Sequence, residues 1–248
     1  MGRLHMNTVL VTGATSGIGK ACVIKFAKEG YGIIALGRDK KRLEKIQTDA
    51  LSVGAKACRV FSIDFQNLDE INTLFEKLID IEHIDAIVNS VGIAYTSGID
   101  NITIREWDEV MRVNVTAPFI VIQAALPWLL KSDNPSVVNI SSIAGRTRSI
   151  SLGCHYSTSK AAVIGMTRHL AAELGPIGIR VNCTAPSQTH SPMLDSALSK
   201  EGQEKLAETV PLRRLATTEE QAEVIYFLCS RASSYINGAT IDVNGGLL

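Results

Sequence analysis

Thr8-Val9-Leu10-Val11-Thr12-Gly13-Ala14-Thr15-Ser16-Gly17-Ile18-Gly19 is the stretch on which the fold turns. It opens with a β-branched, continuously apolar run, Thr8–Val11, and passes through three glycines before a helix-length segment begins. A strand that is apolar at every position, rather than at alternate ones, suits a sheet covered on both faces. Glycines between strand and helix permit a tight turn, let the backbone approach a pyrophosphate and let the helix pack close to the strand. The phosphates then meet the N–H groups of the helix N-terminus. The spacing is Gly-x-x-x-Gly-x-Gly, and the plainer alternative is an ordinary glycine-rich turn. A strand before it and a helix after it favour the nucleotide cradle.

Outward from this stretch the pattern repeats. Runs at Gly32–Leu36, Ala57–Ile63, Ala86–Asn89, Ser136–Ile140, Ile179–Cys183 and Thr240–Val243 are separated by amphipathic segments. In one of these, Ile71, Leu74, Phe75, Leu78 and Ile79 fall on a single helical stripe. Strand, helix, strand throughout predicts an α/β, doubly wound (Rossmann) parallel sheet of about seven strands with helices on both faces. The 248 residues are expected to form one domain, 1–248. The polar, weakly patterned stretch at about 187–210 reads as a substrate lid.

Composition excludes several classes. Twenty-five basic residues balance 25 acidic ones, so no net field draws the chain to nucleic acid or a membrane surface. Hydrophobic residues make up 46% of the chain, and so apolar a surface is expected to be hidden in an oligomer. The longest apolar stretch, Ala117–Leu130, is interrupted by Pro118, Gln123 and Pro127 and falls short of the ~20 residues of a membrane span. Met1–Met6 leads straight into the first strand without the pattern of a secretory signal. Cys22, Cys58, Cys154, Cys183 and Cys229 are scattered and lack Cys-x-x-Cys spacing. They read as small apolar residues of a reducing, cytoplasmic compartment, not as a disulfide frame or a zinc site.

Two further stretches carry chemistry. The second strand ends Ala35-Leu36-Gly37-Arg38-Asp39, with Gly37 where an acidic reader of the ribose hydroxyls is expected and Arg38 beside it. A guanidinium there pairs with a 2′-phosphate, which points to NADP(H), with NAD as the alternative; Arg38 otherwise opens a solvated basic run to Arg42. Asp64, after the third strand, either bonds the adenine amine or caps the next helix. Tyr156-Ser157-Thr158-Ser159-Lys160 puts a phenol and an ammonium on one helical face. A phenol titrates near 10, and an adjacent cation favours the phenolate. Fourteen residues before Tyr156, the fifth strand ends in Ser141-Ser142, at the sheet edge where ligands bind.

These motifs, in this order, resemble those of the short-chain dehydrogenase/reductase family, over essentially the whole chain. Thr12–Gly19 is similar to the family's cofactor motif, which implies cofactor contacts at Gly13, Thr15, Ser16, Gly17, Ile18 and Gly19. Asn89-Ser90-Val91-Gly92 resembles its Asn-Asn-Ala-Gly motif with two positions changed, implying Asn89 and Gly92. Asn114 matches the family's helix asparagine, and Ser142, Tyr156 and Lys160 its catalytic trio. Pro186 matches a Pro-Gly motif in which Ser187 replaces glycine, Thr189 follows as a contact for the nicotinamide amide, and Asn244-Gly245-Gly246 resembles Asp-Gly-Gly.

The resemblance implies metal-free hydride transfer between nicotinamide C4 and a small-molecule carbonyl or secondary alcohol. Tyr156 exchanges the proton, Ser142 orients the oxygen, Lys160 tunes Tyr156 and holds the nicotinamide ribose, and Asn114 steadies Lys160. It also implies a homotetramer. Asn114 has a second reading, as a kink whose amide satisfies a backbone carbonyl. The Ser142–Tyr156 separation is one residue longer than the family's, which leaves Ser141 as a rival.

Among substrates, a 3-oxoacyl thioester on a carrier protein is the commonest for relatives of this length. The region matching their carrier-docking surface, Lys131–Pro135, holds a single basic residue. The other substrate reading is an anionic sugar-like or keto-acid metabolite, because the loop between Ser142 and Tyr156 holds Arg146, Arg148 and His155 and no acid. Against it stands the plain reading, with both arginines turned to solvent or a neighbouring subunit and His155 packed beneath the loop. A catalytically silent nucleotide-binding scaffold is the reading from another class, and four filled catalytic positions speak against it.

Overall fold

The structure is a computed structural model that describes residues 6–248; Met1–His5, the start of the segment read for a secretory signal, lie outside the described residues. The apolar runs form β1 (Thr8–Thr12), β2 (Gly32–Gly37), β3 (Ala57–Ser62), β4 (Ala86–Asn89), β5 (Ser136–Ile140), β6 (Arg180–Pro186) and β7 (Thr240–Val243). Between them lie α1 (Gly17–Lys28), α2 (Lys40–Ser52), α3 (Leu68–Glu76), α4 (Ile104–Met111), α5 (Ala117–Leu129), α6 (Ile143–Arg146), α7 (Cys154–Leu174), α8 (Pro192–Ala197), α9 (Lys200–Thr209) and α10 (Thr218–Cys229).

The strands make one parallel sheet of order β3-β2-β1-β4-β5-β6-β7 in a single domain. Every residue of β1, β2, β4, β5 and β6 is buried, as their continuous apolarity requires, while the edge strands β3 and β7 are partly exposed. β6 runs past the expected Cys183 because its distal half pairs with β7, up to Pro186 against Val243.

Successive strand residues face opposite layers. Val9 and Val11 pack with Phe26 of α1, Leu43 of α2 and Ile225 of α10, whereas Leu10 packs with Leu74 of α3, Val121 of α5 and Leu170 of α7. Each such side chain contributes about 1.5–3 kcal/mol by leaving water.

Two details differ from the sequence expectation. Ile71, Leu74, Phe75 and Leu78 are buried, but Ile79 is 83% exposed. The helix stops at Glu76, and a turn in which Leu78 N donates to Phe75 O (3.1 Å) carries Ile79 off the stripe. Pro118, Gln123 and Pro127 do not interrupt Ala117–Leu130: α4, a π turn at Arg112–Thr116 and α5 run on as one helix, Ile104–Leu129, long and apolar enough by composition to cross a membrane. Here it is a core helix, with Val110, Val113, Ala117, Val121, Ala125 and Leu129 buried along one stripe.

The strand order reverses between β1 and β4, where the connections leave toward opposite faces and open a crevice at the carboxyl edge. The stretch at 187–210 holds α8 and α9. Its base is closed by a bridge: His190 N donates to Ala216 O (2.9 Å) and Ala216 N to Gln188 O (3.0 Å).

Candidate active site

The crevice is built first by β1. The Thr12 hydroxyl accepts from Ser90 N (3.0 Å) and Val91 N (3.1 Å), which ties the ends of β1 and β4 together. Gly13 has φ +65°, and a Cβ there would lie 3.0 Å from the Ser90 carbonyl and Val91 Cα. A Cβ on Gly19 would run into the Gly13 carbonyl oxygen. Side chains at these positions would fill the turn, so the glycine spacing is a steric requirement. Ser16 starts α1 with no side-chain cap, and no acid lies in the first turn. The first N–H groups of a helix have no intrahelical partner, and they are the donors a pyrophosphate needs.

At the end of β2, Thr15 packs over Gly37; a Cβ at 37 would lie 2.8 Å from Thr15 Cγ2. Arg38 is exposed there. Asp39 turns away from it to cap α2, accepting from Arg42 N at 3.1 Å. Asp64 does not cap α3, whose N-cap is Asn67; its Oδ1 accepts from Gln66 N (3.0 Å) in the preceding turn.

Asn89 is buried at the end of β4. Its Nδ2 donates to Asn139 Oδ1 (2.9 Å), and its Oδ1 has no partner among the described residues. A Cβ on Gly92 would sit 3.5 Å from both Asn114 Oδ1 and Lys160 Nζ. Asn114 stands on the π turn, a widening that recurs where helices serve functional sites. Its Oδ1 accepts from Ile93 N (2.8 Å), and its Nδ2 donates to Ile93 O (2.9 Å) and Ser159 Oγ (3.0 Å). The side chain therefore pins the backbone after β4 to α7. The carbonyl that its amide satisfies belongs to Ile93, outside the helix, and the side chain makes no direct bond to Lys160.

Ser142 and Ser141 part company at the end of β5. Ser141 Oγ is buried and donates to Lys160 O (2.7 Å). Ser142 is half-buried, caps α6 by accepting from Ala144 N (3.1 Å), and hydrogen-bonds the Tyr156 phenol. Of the two serines, Ser142 is the one beside the phenol, while the Ser141 hydroxyl is engaged by a backbone carbonyl. Gly145 lets α6 close on α7, since a Cβ there would lie 2.6 Å from the Lys160 carbonyl carbon.

Lys160 is buried, with Nζ donating to Ile140 O (2.8 Å) and lying 5.8 Å from the centre of the Tyr156 ring. Burial brings its pKa down to about 8, against a small opposing effect of Cys183. The phenol shifts the other way from the expectation. Burial raises the Tyr156 pKa, and the Ser142 hydrogen bond, not Lys160, pulls against that rise. Ser159 is a residue that sequence reasoning missed: it donates to Tyr156 O (2.7 Å) and receives Asn114.

Beyond β6, Pro186 ends the strand and Thr189 is buried. The Thr189 hydroxyl donates to Ser187 O (3.0 Å) and accepts from Gln221 Nε2 (3.3 Å), so it is engaged within the protein.

Of the three basic residues read either as an anion clamp or as outward-turned and packed side chains, two are engaged within the protein. Arg146 pairs with Asp242 of β7 (3.4 Å), and His155 is fully buried against Glu106 (2.9 Å). Only Arg148 remains exposed without an ion pair among the described residues. Neither counter-ion was legible, because both lie far off in sequence. Lys131 is also displaced from the expected docking surface: it precedes β5, at the opposite edge of the sheet from Ser142.

These features fit a nicotinamide dinucleotide. Two glycines form a cradle that a Cβ would fill, an uncapped helix start faces it, and a buried lysine stands next to a phenol at the sheet's carboxyl edge. Such a fold and site define a Rossmann-type nicotinamide oxidoreductase.

Residues 13–248 match the family described as enoyl-(acyl carrier protein) reductase. The chain is 37% identical to the 3-oxoacyl-[acyl-carrier-protein] reductase of Aquifex aeolicus, over 99% of this chain and 98% of that one. A crystal structure of the 3-oxoacyl-[acyl-carrier protein] reductase from Brucella melitensis superposes with TM-score 0.91 at 32% identity, covering 97% of this chain and 91% of the other. A second Brucella melitensis reductase structure, with bound NAD, gives TM-score 0.88 at 31% identity, covering 98% and 92%. The chain belongs to the short-chain dehydrogenase/reductase family and is an oxidoreductase acting on carbonyl or hydroxyl groups.

Proposed function

We propose that the protein reduces a carbonyl group with NADPH, and that 3-oxoacyl thioesters are its first substrate class. The carrying observation is the Tyr156 phenol hydrogen-bonded to Ser142, with Lys160 Nζ 5.8 Å from its ring, at the carboxyl edge of β5. The cofactor, when bound, supplies the hydride. Gly13, Thr15, Ser16, Gly17, Ile18 and Gly19 would hold its pyrophosphate, Arg38 its 2′-phosphate and Asp64 its adenine, while Asn89, Gly92, Pro186 and Thr189 would border the nicotinamide end.

Tyr156 acts as the acid that protonates the substrate oxygen. Its raised pKa keeps the phenol protonated at neutral pH, the form a donor must have. Ser142 Oγ accepts from Ala144 N, and its hydrogen, which serves the Tyr156 oxygen, can turn to orient the substrate oxygen. Lys160 spends one donor on Ile140 O and keeps two for a ribose hydroxyl. Asn114 holds the Lys160 helix through Ser159.

The names of the relatives favour the thioester class, and the engagement of Arg146 by Asp242 and of His155 by Glu106 leaves only Arg148 to support an anionic metabolite. NAD stays the alternative cofactor, given the NAD-bound neighbour. A homotetramer suits the outward faces of α5 and α7, where Phe119 and Leu130 are exposed and Gly165 has open space above it. Five free cysteines suit a cytoplasmic setting. The test is NADPH consumption with acetoacetyl-coenzyme A, a neutral ketone and a keto acid. The thioester is expected to give the highest kcat/KM; turnover of none of them, or preference for the keto acid, overturns the reading.

A further inference from the structure

His155 precedes the phenol assigned to proton transfer and takes no part in that transfer, yet its ring is wholly buried. Nε2 lies 2.9 Å from Glu106 Oε1 of α4, and Nδ1 is buried with no partner among the described residues. Nε2 is therefore placed to donate to the carboxylate, while Nδ1 faces no acceptor among the described residues.

The ring also stacks on Tyr95, with centroids 6.1 Å apart and planes at 27°. The Tyr95 phenol donates to Glu109 Oε2 (2.9 Å), whose other oxygen takes Arg105 Nε (3.3 Å). The Tyr95 carbonyl accepts from Gly153 N (2.9 Å). Gly153 has no room for a Cβ, because the His155 ring and the Ser97 carbonyl occupy that space. Ser97 in turn hydrogen-bonds Glu106. Three segments therefore meet on one imidazole: the chain after β4, helix α4 and the first turn of α7. Gly153 supplies α7 with no side-chain cap, and Arg146, Thr147, Arg148 and Ile150 of the loop before it are exposed. The buried histidine joins the Gly153–Tyr95 and Ser149–Ser157 hydrogen bonds in fixing the start of α7.

We propose that His155 is a positioning residue: held by Glu106, it locks the first turn of α7 against α4 and so keeps the Tyr156 phenol on Ser142. A buried polar atom without a partner is costly, and here the cost accompanies a side-chain contact that joins α4 to the first turn of α7 next to the phenol. The proposal rests on the reading of Tyr156 as the proton donor.

The test compares wild type, His155→Gln, His155→Phe, Glu106→Ala and Tyr156→Phe with NADPH and acetoacetyl-coenzyme A. A glutamine amide can still donate to Glu106, whereas phenylalanine keeps a stacking ring without a donor. His155→Phe and Glu106→Ala are expected to lower kcat by about tenfold or more, since small displacements of reacting groups are expensive. KM and the NADPH Kd from fluorescence titration should stay near wild type, and His155→Gln should recover most of the rate. Nitrogen NMR of the free protein should show His155 as the Nε2–H tautomer in wild type and lose that signature in Glu106→Ala. The NMR arm and Glu106→Ala decide the matter if His155→Phe does not fold. Wild-type kcat in His155→Phe, equal impairment in His155→Gln, or an Nδ1–H tautomer overturns the proposal. An active Tyr156→Phe overturns the reductase reading instead, so the two failures are distinguishable.

Discussion

Replacing Lys160 with methionine should abolish turnover while leaving the free protein as stable as wild type, or more stable, at pH 7. Burial lowers the lysine pKa from 10.5 to about 8. At 1.36 kcal/mol per pKa unit, holding the charged form in the folded state costs about 3 kcal/mol. The unfolded chain, titrating near 10.5, binds the proton more tightly than the folded one. Below pH 8 both states are protonated and the full penalty stands. Between about 8 and 10.5 the folded state releases its proton first, so wild-type stability recovers as pH rises. Methionine keeps the length and removes the charge, but leaves the Ile140 carbonyl without the 2.8 Å bond it now accepts. An unsatisfied carbonyl costs about 1–3 kcal/mol, so the variant should gain roughly 0–2 kcal/mol at pH 7. By pH 10 most of the lysine penalty has gone, and the variant should be the less stable protein. Urea unfolding without cofactor, at one protein concentration, measures both values. Destabilisation by more than about 1 kcal/mol at pH 7, or the same difference at both pH values, refutes the reasoning.

Two further outcomes concern the cofactor and the core of the site. Arg38→Ala should lower kcat/KM for NADPH about tenfold, or 1.4 kcal/mol, and leave NADH unchanged, as read from steady-state rates with each cofactor. Gly37→Asp alone should weaken both cofactors, because a Cβ there meets Thr15 Cγ2 at 2.8 Å; adding Thr15→Ser and Arg38→Ala should give an NADH enzyme. Gly145→Ala puts a methyl group 2.6 Å from the Lys160 carbonyl carbon, and thermal unfolding should show a loss of about 1–3 kcal/mol together with reduced kcat.

Local signals carried most of the sheet. Continuous apolar runs marked the strands because burial on both faces leaves no polar register to read, and the Gly13–Gly19 turn announced its own steric demand. The Tyr156–Lys160 pair was legible because four residues make one helical face. The sequence did not show where a loop side chain ends. Arg146 finds Asp242 across the sheet edge and His155 finds Glu106 on α4, and no local pattern encodes either partner. Ser141 and Ser142 are adjacent hydroxyls with the same local signal; only the packing of α6 on α7 sends one to a backbone carbonyl and the other to the phenol. The direction of the Tyr156 shift was missed for a similar reason. A neighbouring cation was visible in the sequence, and the burial that raises the phenol pKa was not.

The central claim is that the Tyr156 phenol donates the proton. Tyr156→Phe keeps the ring and removes only the hydroxyl, so kcat for acetoacetyl-coenzyme A with NADPH tests it directly. A fall of about 10²–10⁴-fold, with NADPH Kd and thermal stability unchanged, is the predicted result. A variant retaining more than about a tenth of the wild-type rate contradicts the account.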